Sequence, residues 1–80
     1  MALIEDPAQL RMARAALKVS MQDIQEATGV GTEAINRYEN GVTAKLWAST
    51  RQKLEAFFDG RVIFVPAKKG KHGVGVLLKT

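Results

Sequence analysis

Apolar residues recur at helical spacing in four stretches of this 80-residue chain, then switch to strand spacing near its end. In the first stretch Leu10, Ala13 and Leu17 lie three and four apart, with Arg11, Arg14 and Lys18 between them. Asp6 then Pro7 supplies an N-cap and a proline at the first helical position, so a helix is expected over about 7–18. Residues 1–6 read as a short lead-in. Ser20, with Asp23 three residues on, resembles a capping box and opens a second helix over 21–28, which Gly29 stops. Val30 is an apolar turn residue, and Gly31 or Thr32 starts a third helix ending near Tyr38 or Glu39. Asn40-Gly41 closes it with two residues that tolerate a left-handed backbone. Thr43 is the expected cap of a fourth helix over about 44–58, with Leu46 or Trp47, Thr50, Leu54, Phe57 and Phe58 as its apolar stripe.

Asp59-Gly60 then marks a turn, and the period changes. Val62-Ile63-Phe64-Val65, closed by Pro66, reads as a strand, and Val74-Gly75-Val76-Leu77-Leu78 as its partner across a basic loop. The expected fold is mainly α: four helices in a helical domain over 1–60, followed by a β-hairpin over 61–80. A lone two-stranded hairpin is barely stable in water. This one must pack on the helices, pair with another chain, or both. Val62, Phe64, Val74, Val76 and Leu78 are the candidate contacts of a homodimer. Phe57, Phe58 and Phe64 are expected in the core or a dimer contact, and Trp47 in the core.

Composition narrows the function classes. An 80-residue core is marginal alone, and without cysteine there is no disulfide, which leaves oligomerisation as the expected reinforcement. No apolar run reaches the roughly 20 residues of a membrane span. The N-terminus lacks a signal-peptide layout, so a cytoplasmic location with no membrane partner is expected. One histidine, His72, sits in the hairpin loop without a second ligand, so no metal or other cofactor is expected. No nucleophile–base pair, carboxylate dyad or phosphate-cradling glycine loop is present, which argues against an enzyme. The net charge of +4 points to a polyanionic partner, and its placement is uneven. Residues 1–60 hold seven Lys/Arg and eight Asp/Glu, whereas 61–80 hold five Lys/Arg and no acid.

Short helix, glycine turn, short helix is the layout of a DNA-reading helix-turn-helix. The stretch from Val19 to Gly41 resembles that of the Xre or lambda-repressor-like family of bacterial and phage regulators. Gly29 falls at the family's turn position, Ile24, Val30, Ile35 and Tyr38 at its buried positions, and Glu39-Asn40-Gly41 at its helix-3 ending. Leu10 to Leu17 is similar to its first helix, and the resemblance covers about 7–58. It implies a four-helix lambda-repressor-like domain that binds double-stranded DNA. It also implies an ion pair between Arg14 and Glu39, bridging helix 1 and the end of helix 3. The chain departs from the family at Met21, where a glutamine is usual, at Gln25, where a small residue is usual, and at Thr28 and Gly31.

With helix 3 in the major groove, Ala34, Ile35 and Tyr38 are expected to point inward, and Thr32, Glu33, Asn36 and Arg37 outward to read bases. Arginine matches guanine O6/N7, asparagine adenine, glutamate cytosine N4, and the threonine methyl thymine. Gln22, Asn40, Thr43 and Lys45, with backbone N–H groups at the start of helix 2, are the nearby candidates for the DNA backbone. Lys68, Lys69 and Lys71 either reach the backbone from the hairpin loop or simply blunt a sheet edge. The first reading is therefore a sequence-specific transcriptional regulator acting as a homodimer. Met21, Gln25, Glu33 and the slightly acidic helical body motivate an alternative: an antiactivator or antitoxin-type module that keeps the fold and binds another transcription regulator.

Overall fold

The structure, a computed structural model, describes residues 4–43, 46–68, 70 and 73–78. Four helices, α1 (Pro7–Leu17), α2 (Met21–Thr28), α3 (Thr32–Glu39) and α4 (Ala48–Phe58), precede strands β1 (Val62–Val65) and β2 (Gly75–Leu78).

Side-chain capping fixes two of the helix starts. Asp6 accepts from the Ala8 N–H, while the Gln9 side chain returns to the N-cap backbone and completes a capping box. Ser20 and Asp23 make the same reciprocal pair at α2, at 3.0 and 2.9 Å. At the other ends, Lys18 takes the left-handed cap of α1 and Gly29 that of α2, the latter at φ 81°. A side chain at Gly29 would meet no atom within 4 Å, so the backbone conformation alone explains the glycine.

The fourth helix starts later than its sequence suggests. Thr43 does not cap it; the Thr43 N–H returns to the Arg37 carbonyl at the end of α3, and the cap position falls to Trp47. Trp47 is consequently not in the core but 83% exposed. Leu46 packs against the core in its place. Ile4, in the expected lead-in, is buried instead, its N–H held by the Glu55 carboxylate at 2.8 Å.

One core runs through the four helices and β1, with half-buried Val76 of β2 packed against it. It joins Ile4, Leu10 and Ala13 to Ile24, Val30, Ile35 and Tyr38, and these to Leu54, Phe58, Val62 and Phe64. Phe58 meets Phe64 edge-on at 5.8 Å between ring centres, which fastens β1 to α4. The strands pair antiparallel with Val62 opposite Leu78 and Val65 opposite Gly75, and β2 packs on α1. The hairpin thus meets its need for cover within the chain. Val62 and Phe64 face the chain's own core and cannot also face a partner. Val74 and Val76 are half-buried, and Leu78 is exposed together with Ile63 and Leu77.

Gln9 is the unexpected member of the interior. It is fully buried within α1, yet every polar group of its amide is used. Its Oε1 accepts from the Glu5 and Asp6 N–H groups at 2.7 and 3.1 Å. Its Nε2 donates to the carbonyls of Val65 and Gly75 at 3.0 and 3.3 Å. Those two residues are the facing pair nearest the hairpin loop, so one side chain ties the lead-in, α1 and both strands together.

Candidate nucleic-acid interface

The inner side of α3 is Ile35 and Tyr38, both buried, and they set which residues face outward. Glu33, Asn36, Arg37 and Asn40 are exposed, and Glu33/Arg37 and Asn36/Asn40 are each four residues apart, which makes a polar stripe along the helix. Thr32 is half-buried at the helix start. Ala34, expected inside, is exposed, because eight residues of helix offer only a narrow inward stripe between α1 and α2.

The stripe is organised in pairs. Arg37 Nη2 donates to Glu33 Oε1 at 2.6 Å. Asn40 Nδ2 donates to both Oδ1 and the backbone carbonyl of Asn36, at 2.7 and 2.9 Å. The Arg37 carbonyl accepts from the Val42 and Thr43 N–H groups at 2.9 and 3.3 Å, holding Thr43 against the end of α3.

The rest of the frame orients this helix. Arg14 reaches from α1 to grip Glu39 with two bonds, Nε to Oε2 at 2.6 Å and Nη2 to Oε1 at 2.8 Å. Its Nη1 donates to the Val19 carbonyl at 3.4 Å, so the same guanidinium spans α1, the α1–α2 link and α3. The side chain of Glu39 is 3% exposed and that of Arg14 22%. Glu39 holds the Arg14 guanidinium above its ordinary pKa, chiefly through the hydrogen bond, so Arg14 remains cationic at every accessible pH.

Gln25 has a job the sequence does not announce. Gly31, at the N-cap of α3, has no side chain with which to bond the helix start. Gln25 supplies the bond from α2, its Oε1 accepting from the Thr32 N–H at 3.1 Å. The unusual glutamine and the weak glycine cap therefore compensate each other. Thr28 likewise bonds inward, to the Ile24 carbonyl, and accepts from Val30 N–H in the turn.

The backbone candidates fare unequally. Gln22 is exposed on the first turn of α2. The N–H groups of Ser20 and Asp23 are already taken by the capping box, which also sets the Asp23 carboxylate at that helix start. The anion site expected there is thereby reduced to the Met21 and Gln22 N–H groups. Lys68 is exposed beyond β1. Lys45, Lys69, Lys71 and His72 lie outside the described residues. No described helix is long and apolar enough to cross a membrane.

Among protein-family models, the one described as Helix-turn-helix matches residues 10–59, well over half of the chain. No curated protein and no solved structure matches it. The matched span begins at Leu10 and takes in the Arg14–Glu39 bridge, the Gly29 turn and the α3 stripe. The chain belongs to the Xre or lambda-repressor-like helix-turn-helix family, and it is a DNA-binding transcription regulator.

Proposed function

We propose that the protein reads a specific duplex sequence with α3 in the major groove, as a homodimer. The observation that carries the reading is the α3 stripe. Its inner side is anchored in the core, and its outer side stands exposed, with the described hairpin packed on α1. Arg37 and Asn36 are the base readers, for guanine and adenine edges, with Thr32 at the helix start beside them. Gln22, Asn40 and Thr43 flank the stripe and serve the phosphates; Lys68 adds charge from the hairpin. Two copies would place their α3 helices about one helical turn of DNA apart. Ile63 and Leu77, which face each other across the strands on the outer side of the hairpin and are both exposed, offer the surface for that pairing.

Selection of bound fragments from random duplex DNA, run at two salt concentrations, tests the reading. A recurring motif with two related half-sites is expected. Recovery of random sequence at both salts, or of nothing at low salt, would refute it. Sedimentation of an Ile63→Lys/Leu77→Lys variant tests the dimer, which should dissociate while the helices remain folded.

A second reading, a module that binds another regulator, draws on Trp47 and Val42, both strongly exposed around the α3–α4 link. Substituting Asn36 and Arg37 by alanine separates the two. Regulation that survives both changes, with a co-purifying protein partner, favours the second.

A further inference from the structure

Glu33 and Arg37 form an exposed ion pair one turn apart on the α3 stripe, and its place on that stripe bears on how Arg37 meets DNA. An arginine on a DNA-facing helix has a default partner in any duplex, since every nucleotide presents a phosphate. Here the guanidinium is already engaged, 2.6 Å from a carboxylate one turn earlier on the same stripe. The two side chains are 57% and 76% exposed, so neither is held by the core. Together they are electrically neutral and contribute nothing to counterion release.

The chemistry treats the two kinds of DNA contact differently. Arg37 has five N–H donors, and only one bond to Glu33 is made. The remaining donors can still make the two-pronged contact to guanine O6 and N7 while Glu33 stays in place, because a base edge carries no net charge. A phosphate bound by the same guanidinium brings a negative oxygen against the Glu33 carboxylate and is repelled. Glu33 has unused lone pairs as well, which suit an exocyclic amine such as cytosine N4. Resting on the DNA-reading function, we propose that Glu33 is a specificity-determining residue. It withholds Arg37 from phosphates and directs it to a guanine next to a base that presents an amine.

The rival explanation is structural. An acid in the first turn of a helix, paired with a base four residues on, also steadies that helix. Glu33→Gln separates the two, since glutamine keeps the shape and can still accept from Arg37 but carries no charge. Dissociation constants are measured on the selected duplex and on a scrambled one, across a salt series. The variant should bind scrambled duplex about tenfold more tightly, and its salt dependence should steepen by about one phosphate contact. The ratio of selected to scrambled affinity should fall about tenfold. In an Arg37→Ala background the same substitution should change the slope little.

A Glu33→Gln protein with unchanged slope and ratio, altered only in melting temperature, overturns the filter and leaves the base-reading function standing. So does the same change in slope without Arg37, which reduces Glu33 to general repulsion. Wild-type protein that binds no duplex at low salt removes the function and the filter together.

Discussion

Replacing Glu39 by glutamine should cost about 2–3 kcal/mol of folding stability. The side chain is 97% buried and accepts two charge-assisted bonds from Arg14. Such bonds contribute roughly 1.5–3 kcal/mol each, and removing one partner of a buried pair typically costs about 3–5 kcal/mol. Arg14 retains a fifth of its exposure, so water recovers part of the loss, and glutamine keeps one acceptor, which brings the figure down. A domain of this size has on the order of 4–12 kcal/mol to lose. Melting should therefore fall by on the order of 10–20 °C. The paired substitution Arg14→Met/Glu39→Leu leaves no unpaired charge and should cost less than the sum of the two single changes by at least about 1.5 kcal/mol. Urea unfolding of wild type, Arg14→Met, Glu39→Leu and the double variant measures the cycle, with Glu39→Gln unfolded beside them. A Glu39→Gln cost under about 0.5 kcal/mol, or strict additivity, would mean that the bridge does not hold α3 in place.

Other consequences follow from single residues. Gln9→Leu fills the same space but strands two N–H groups and two carbonyls; it should cost about 2–3 kcal/mol and speed amide exchange in both strands, and unchanged exchange would deny Gln9 its tying role. Burial, reinforced by the charge of Asp6 and opposed by Arg51, raises the Tyr38 pKa above its ordinary value. The stability contributed by the neutral phenol is therefore complete below about pH 10 and lost as pH climbs through the raised folded value. Tyr38 is the single tyrosine, so phenolate absorbance reports it directly, and Tyr38→Phe should remove that part of the alkaline loss; a folded-state midpoint at or below 10 would contradict this. Gly29→Ala should cost about 1–2 kcal/mol through backbone conformation alone, and Gly29→Asn less; equal costs would point to a steric cause instead.

Much of this architecture is legible locally. Asp6, Ser20, Gly29 and the β-branched and aromatic run at 62–65 each act through neighbours within a few residues, so the sequence carries both the signal and its consequence. What the sequence hides depends either on a partner far along the chain or on which of several nearby groups a residue bonds. Gln9 lies outside the Leu10–Ala13–Leu17 stripe, and only the hairpin, more than 50 residues later, makes its position interior. Its spacing from Asp6 was the available clue, since an acid followed three residues later by glutamine is a capping-box pattern. Trp47 has the composition of a core residue but loses that place because Thr43 bonds back to α3 and α4 begins five residues after it. The outward stripe of α3 follows from helical periodicity. Its pairing into Glu33–Arg37 and Asn36–Asn40 depends on rotamers that periodicity does not determine.

Whether the outer side of α3 reads bases is decided by Arg37→Ala. Affinities of wild type and variant are compared on the selected duplex, on the same duplex with its contacted guanine replaced, and on scrambled DNA. The variant should lose about 5–150-fold on the selected duplex, the equivalent of roughly 1–3 kcal/mol, and should no longer distinguish it from the guanine-replaced one. Equal losses on all three duplexes, or none, would contradict base reading by α3.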